Sequence, residues 1–477
     1  MKSLNRFLFI IIVLTSFTAC DKNFQELNVN PNVVSQITPT SLLSEIIYGM
    51  VSNNATNNYN LNDPLMQVQV PYPELNAGIQ RYHINATTGN STWNAGYRWA
   101  MNIREMLKSS VENGATNYEA IGLTLNAWVY SNLTDCFGSI PFSQASQSES
   151  GILWPVYDSQ ESIYSQLLNG LEKANTLYNH AIGMSYGGTD ILYNNDSKLW
   201  QRFTNSLRLR LLLRVSDVRL TAFEEMKTII EDPVKYPVFT QLSEGAVLNI
   251  TGITPNLSPW SRALDFSNQH AVGAFFIETL NALNDPRRPV YVTQARATDT
   301  SPIGYKGIPA GYNPNTSFGY SPSYMNNQQV TPPMIIPILT YAEVEFIKAE
   351  LSLKGYLQNN GEAHYKNGVK AAIQLWTKSA VPDEYFNNPL AAYNGTLERI
   401  MVQKYLALYF TDFQQWDEYR RTGYPVLATT DVMENGGKMP VRLMYPDIQA
   451  TYNPENYKKA SQEMGGNSIN AKVWWDK

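Results

Sequence analysis

Residues Thr396–Pro425, TLERIMVQKYLALYFTDFQQWDEYRRTGYP, carry two helix signatures back to back. In the first, Leu397, Ile400, Met401, Tyr405, Leu408 and Tyr409 recur at spacings of three and four, which lays them along one face of a helix. The second has its own start signal, because Thr411 followed three residues later by Gln414 reads as a capping box. Its end is marked by Arg420 and Arg421 in the last turn, Gly423 as a left-handed cap and Pro425 beyond. Helices with such apolar faces are stable only when packed on other elements, so the rest of the chain is read for their partners.

Upstream, Thr340 and Glu343 form a second capping box, with Leu339 and Val344 placed as its hydrophobic staple. Val344, Ile347 and Leu351 continue that stripe to Gly355, and Tyr365, Val369, Ala372 and Trp376 mark a returning helix. Two earlier pairs show the same period, one through Trp93, Ile103, Ile121 and Trp128, the other through Ile163, Leu171, Phe203 and Leu211. Helix pairs at about 92–134, 159–219, 340–380 and 396–425 predict a tetratricopeptide-like array, preceded by a helix over Ser41–Val51. Residues 52–90 read as loop with short helical pieces. Residues 232–338 are rich in Pro, Gly, Asn and Tyr and show little helical period. An irregular segment of that length inside a compact domain points to function. The expected fold class is all-α: helix pairs as scaffold, with long irregular insertions carrying the ligand face.

Charged residues make up 16% of the 477 residues while aromatics reach 12%, with 30 Tyr and 10 Trp. A surface of rings and amides suits neutral polar ligands, since rings offer apolar faces and their OH or NH groups still hydrogen-bond. The net charge of −5 argues against a nucleic-acid partner. At the N-terminus, Lys2 and Arg6 precede the apolar run FLFIIIVL and then SFTAC, which ends at Cys20. This pattern predicts a signal peptide over residues 1–19, too short to span a membrane. Thr18 and Ala19 before Cys20 match a bacterial lipobox, with Phe17 replacing the aliphatic residue usual there. The expected layout is a lipidated Cys20, a tether over 20–40 and a single domain over 41–477. Cys136 would then be the one remaining thiol, and its neighbours Leu133, Phe137 and Ile140 predict that it is buried and inert.

Residues for catalysis are not evident. His83, His180, His270 and His364 stand in no metal-ligand spacing, and neither a GxSxG elbow nor a phosphate-binding loop is present. The carboxylates Glu343, Glu345 and Glu350, like Asp412, Asp417 and Glu418, fall on scaffold helices, where capping and ion pairing account for them. No metal or cofactor is expected. Trp93, Trp128, Trp200, Trp376 and Trp416 sit on apolar stripes and read as core. Loop aromatics are the better candidates for binding, because loops on a rigid scaffold carry most recognition. The densest group is Trp260, Tyr291, Tyr305, Tyr312, Phe318, Tyr320 and Tyr324, interleaved with Asn313, Asn315, Asn326 and Asn327. Tyr72, Gln80 and Tyr82 lie in the early irregular segment, and Arg287 and Arg288 read as loop clamps. The residues singled out for ligand contact are Tyr82, Trp260, Tyr305, Tyr312, Asn313, Phe318 and Tyr320.

Seven pieces of the chain also carry a family resemblance. In order they are CDKNFQELNVNPN from Cys20, LTDCFGSIPFSQA (Leu133–Ala145), NDPRRP (Asn284–Pro289), YKGIPAG (Tyr305–Gly311), LTYAEVEFIKAELSLKG (Leu339–Gly355), QKYLALYFTDFQQWDEYRRTGYP (Gln403–Pro425) and RLMYP (Arg442–Pro446). In this order behind a lipobox, the chain resembles the SusD/RagB-like outer-membrane lipoproteins, most closely their divergent SusD-like branch. The resemblance implies a lipid-anchored surface protein of Bacteroidota, attached to the outer membrane by its lipid alone. It implies four tetratricopeptide-like pairs in a right-handed superhelical scaffold that packs as a lid on a SusC-like TonB-dependent transporter. It also implies that the early segment around Tyr82 approaches the same face as the long insertion. The loops of such a protein hold a nutrient, a glycan or oligosaccharide in most members and a peptide in others, and carry no catalytic residues. Two alternatives stay open at this point: a peptide ligand, and an all-helical surface glycosidase.

Overall fold

A computed structural model describes residues 38–73, 77–184, 190–358 and 360–477. The expected signal peptide, Cys20 and nearly all of the tether lie outside these residues. The first helix, α1 (Pro39–Asn57), buries Leu43, Ile46, Ile47 and Met50 along one stripe. It runs past the expected end at Val51 and continues into a π-helical turn, Asn58–Asn62. Its asparagine-rich sequence is a poor helix former, and tertiary bonds override that weakness. Asn58 Nδ2 donates to the Asp412 carbonyl (2.9 Å), Asn62 Nδ2 to Gln415 Oε1 (2.7 Å), and the Trp416 amide to Asn62 Oδ1 (3.1 Å). The N-terminal helix is thus stitched to the Thr396–Pro425 stretch.

The chain then forms β1 (Gln69–Pro71), α2 (Asn90–Glu112), α3 (Thr116–Phe137), β2 (Ile140–Pro141), β3 (Tyr157–Asp158), α4 (Gln160–Leu177), α5 (Ser197–Arg214) and α6 (Ala222–Glu231). Beyond them come β4 (Ala246–Ile250), β5 (His270–Val272), α7 (Ala274–Ala282), β6 (Met334–Leu339), α8 (Tyr341–Leu353), α9 (Gly361–Thr377), α10 (Leu397–Ala407) and α11 (Gln414–Thr422). The four predicted helix pairs are present as α2 with α3, α4 with α5, α8 with α9, and α10 with α11. Helix α3 also packs on α4, α10 packs on both α8 and α9, and α5 touches α8 and α11. Trp128, Trp200 and Trp416 are fully buried, as their stripes predict. Residues Pro39–Lys477 form one unit. Among the described residues, no helix is long and apolar enough to cross a membrane.

The mostly helical architecture agrees with the all-α expectation, and its few strands are short. Three two-stranded antiparallel ribbons join β1 to β5, β2 to β3 and β4 to β6. The insertion over 232–338 is therefore tied into the scaffold, and α7 adds a helix that its flanking irregular sequence hid.

Helix boundaries show where capping was read correctly. Thr396 Oγ1 accepts from the Arg399 amide (3.2 Å), and Gly423 (φ 77°) closes α11 by donating its amide to the Tyr419 carbonyl (2.7 Å). Thr340 Oγ1 accepts from the Glu343 amide (3.3 Å), but the Glu343 carboxylate is taken by Arg210 (2.7 and 2.5 Å), so only half of that box forms. The box expected at Thr411 does not form. Phe413 precedes α11 with no side-chain cap, after left-handed Phe410 and Asp412 have turned the chain. Gln414 is drawn away because its Oε1 accepts from Arg214 Nη2 (2.8 Å).

That bond belongs to a buried ionic cluster that centres on α11. Arg214 reaches Asp417 (2.6 Å), Lys404 reaches Glu418 (2.9 Å), and Arg421 reaches both Glu350 and Glu418 (2.7 Å each). Burial opposes charge on Glu418, yet Arg421, Lys404 and Arg214 together hold its carboxyl well below the ordinary carboxylate range. Burial pushes the Asp135 carboxyl the other way, up to about 6, despite the nearby Arg214. Cys136 lies buried beside this cluster, and burial raises its thiol well above the usual value, which makes it inert.

Candidate ligand-binding cleft

The aromatic loops are held by a small backbone framework. Strand β1 pairs with β5 with Val70 opposite Ala271, and the Tyr72 amide donates to the Gln269 carbonyl (2.9 Å). Ala271 also bridges Tyr324, and Val292 bridges Met325. The Thr293 amide donates to the Tyr324 carbonyl (2.9 Å) and the Val272 amide to the Ser323 carbonyl (2.8 Å). Four segments distant in sequence are thereby fixed side by side. Gly273 enables the closest approach: a Cβ there would lie 2.0 Å from the Gln67 carbonyl oxygen.

Over this framework lies an open cleft of ≈ 400 Å³ flanked by the Tyr72 and Tyr324 rings, 6.3 Å apart between centroids. Leu264 and Met325 supply apolar surface, and Ser267, Asn268, Gln269, Thr293 and Asn327 supply polar groups. None of these lining residues is charged. The side-chain amides of Asn268, Gln269 and Asn327 have no hydrogen-bond partner among the described residues, so their donors and acceptors are open to a ligand. Burial raises the Tyr324 phenol above its usual value, which keeps it a neutral donor. His270, on β5 with its ring against Tyr59 (4.9 Å), gives Nδ1 to the Asn268 carbonyl (2.8 Å), and burial lowers its pKa, so the imidazole is neutral at pH 7.

The structure brings some of the sequence candidates together and separates others. Tyr312, Phe318 and Tyr320 join Tyr72 in a continuous ring cluster, with Tyr72–Phe318 at 6.4 Å, Tyr312–Phe318 at 5.1 Å and Phe318–Tyr320 at 5.9 Å. Within it, Phe318 and Tyr320 are half-buried, and Tyr320 is braced by donating to the Gly307 carbonyl (2.9 Å). Tyr312 is only 6% exposed and Tyr82 only 2%, so both rings brace loops and present no open face. Burial pushes the Tyr82 phenol up to about 12. Trp260 stands apart, packed on Tyr59 (5.8 Å), Phe266 (5.3 Å) and Phe410 (5.7 Å), where it supports the short turn carrying Leu264. Tyr305 lies against the Arg288 guanidinium (5.6 Å) and makes no ring contact with the cluster. Asn313 is exposed, and its Oδ1 accepts from the Asn315 amide in a local turn (3.0 Å). Arg287 and Arg288 are the loop clamps they were expected to be, Arg287 pairing with Asp285 (2.7 Å) and Arg288 donating to the Asp285 carbonyl (3.1 Å).

The other reactive side chains are engaged within the fold. His364 pairs with Glu345 (2.9 Å), His83 with Glu434 (2.8 Å), and His180 bonds Ser197 (2.9 Å). Among the described residues, no group of three His, Cys, Asp or Glu side chains is placed to hold a metal ion.

The sequence profile of the SusD-like family, described as "Starch-binding associating with outer membrane", matches residues 31–446. The chain belongs to the SusD-like family. A chitin-binding protein has a similar structure, with a TM-score of 0.79 at 22% identity over 92% of this chain and 100% of that one. SusD homologues from Bacteroides fragilis (TM-score 0.77, 24% identity, 93% and 100% of the two chains) and Bacteroides uniformis (0.78, 21%, 93% and 100%) share the fold as well. Among curated proteins, none matches this chain. Its SusD-like fold thus rests on tetratricopeptide-like helix pairs, and its family is one of nutrient-binding, outer-membrane-associated proteins.

Proposed function

We propose that this protein captures a neutral oligosaccharide in the Tyr72–Tyr324 cleft and presents it for uptake across the outer membrane. The observation that carries this reading is the cleft itself: two ring faces, open side-chain amides and no charge, fixed on a hydrogen-bonded framework. Sugar C–H faces pack on aromatic rings while amides bond the hydroxyls, and a preformed concave site lowers the cost of ordering on binding. The partly exposed rings of Phe318 and Tyr320 extend the platform beyond Tyr72. In this reading Cys20 carries the lipid anchor, the protein faces the cell surface, and a TonB-dependent transporter is the partner over which it closes as a lid. It binds without catalysis, because the scaffold carboxylates are committed to ion pairs such as Arg421–Glu350 and Arg210–Glu343.

Calorimetric titration of the mature protein with starch oligosaccharides, chitin oligosaccharides and uncharged control peptides tests the proposal. Saturable binding of a neutral sugar, with no reducing ends released on incubation, is expected. Peptide binding without sugar binding would overturn the ligand class, and release of reducing ends would overturn the binding-only reading.

A further inference from the structure

The π-helical turn at the end of α1 leads into Asp63, a carboxyl that the chain leaves without a cation. Asp63 is fully buried, and among the described residues it forms no ion pair. Burial raises its pKa well above the ordinary value, opposed only by the side-chain amides of Asn62 and Asn58. Its Oδ1 meets Asn62 Nδ2 at 3.5 Å, the outer limit of a hydrogen bond, and that donor lies closer to Gln415 Oε1 (2.7 Å). Its Oδ2 has no hydrogen-bond partner.

Two more buried oxygens are left over around the same turn. The Asp63 amide donates to the Asn58 carbonyl, which sets the Asn58 side chain beside the Asp63 carboxyl. Asn58 Nδ2 donates to the Asp412 carbonyl (2.9 Å), and because a carbonyl only accepts, the orientation of that amide is fixed. Asn58 Oδ1 is then buried with no partner. The Tyr59 carbonyl would next be bonded by residue 64, but Pro64 has no N–H, and Gln69 Nε2 from β1 donates to it instead (2.7 Å). That bond fixes the Gln69 amide in the same way and leaves Gln69 Oε1 buried without a partner.

The hydroxyls near Asp63 are spent. Burial raises the phenols of Tyr59, Tyr405 and Tyr409, and the Asp63 charge adds to the rise. Yet Tyr59 donates to the Phe266 carbonyl (2.8 Å), Tyr405 to the Met66 carbonyl (2.8 Å) and Tyr409 to Gln329 Oε1 (2.8 Å). A proton on Asp63 would serve one of the three open oxygens, and a water molecule two. We propose that Asp63 Oδ2, Asn58 Oδ1 and Gln69 Oε1 ligate an alkali-metal cation. Carboxylate and side-chain amide oxygens are the ligands that hard cations take. One carboxylate balances one positive charge, whereas a divalent ion would bring uncompensated charge into the interior. The bound cation neutralises Asp63 and ties the end of α1 to β1.

Thermal unfolding of the full mature protein in sodium, potassium or choline chloride at equal ionic strength tests the proposal, since choline is too large for a buried site. A midpoint at least ~2 °C higher in sodium or potassium than in choline, saturating with concentration, is expected. Asp63→Asn should abolish that difference, because it removes the charge and supplies a donor for Asn58 Oδ1. Crystals of the wild type soaked in thallium(I), a heavy stand-in for potassium, should show an anomalous peak beside Asp63, which decides the matter if Asp63→Asn does not fold. Equal midpoints in the three salts would overturn the proposal, as would a difference that persists in Asp63→Asn. A rise with calcium chloride but not with the alkali salts would overturn it too, and so would a thallium map with no peak at Asp63.

Discussion

Replacing Arg421 by methionine isolates what the α11 cluster contributes to the fold. Arg421 donates Nη1 and Nη2 to the two oxygens of Glu350 (2.8 and 2.7 Å) and Nη2 to Glu418 (2.7 Å), with the Arg421 side chain 3% exposed and that of Glu350 fully buried. Arg421→Met leaves Glu350 as a buried carboxylate without a cation, whereas Glu418 keeps Lys404 at 2.9 Å. Removing one partner of a buried pair costs about 3–5 kcal/mol, most of it from the charge left behind. Replacing both, as Arg421→Met with Glu350→Leu, removes that stranded charge, so the double variant is expected to recover to within about 2 kcal/mol of wild type. Equilibrium urea unfolding followed by tryptophan fluorescence reads this through the buried Trp416. A loss below about 1 kcal/mol for Arg421→Met, or a double variant less stable than the single one, would refute the argument that this cluster holds the scaffold together.

Other consequences are equally concrete. Tyr72→Ala and Tyr324→Ala are each expected to weaken sugar binding about ten-fold, since a lost ring contact is worth about 0.5–1.5 kcal/mol beyond its buried area, while Tyr305→Ala leaves it within about two-fold. Gly273→Ala drives a Cβ to 2.0 Å from the Gln67 carbonyl oxygen, and thermal unfolding should show a loss of about 1–3 kcal/mol. In acid, Glu418 matters because its folded pKa lies below the ordinary 4.5; its stabilisation is complete above that value and disappears as pH falls. Asp135, raised from 3.8 to about 6, acts oppositely: its contribution is complete below 3.8 and is lost as pH rises through about 6. Glu418→Gln should therefore lower stability at pH 7 and flatten the decline below pH 4.5 in pH-dependent urea unfolding; an unchanged slope would count against the ion-pair account. Cys20→Ala should move the protein from the membrane to the soluble fraction, as fractionation and blotting would show.

The helix pairs were legible because the stripes of Ile400, Tyr405, Val344 and Ile163 repeat at helical spacing and are buried accordingly. The extension of α1 through its asparagines was hidden, because the groups that hold them, Asp412 and Gln415, lie more than 350 residues away in the chain. The failure at Thr411 has a related cause: Arg214 on another helix bonds the Gln414 side chain that the box required. Which loop tyrosines face solvent is likewise a tertiary property. Tyr324 belonged to the dense aromatic group and Tyr72 to the early irregular segment, yet neither was singled out for ligand contact, because nothing local distinguishes them from buried Tyr82 and Tyr312. Asn268 and Gln269 were missed because they sit in a short polar run before β5, and only the β1–β5 pairing brings them under Tyr72.

A crystal structure of the mature protein bound to the sugar selected by titration tests the central claim most directly. The account predicts density for sugar rings against Tyr72 and Tyr324, with hydroxyls bonded to Asn268, Gln269 or Asn327. Sugar bound elsewhere with this cleft empty would contradict it.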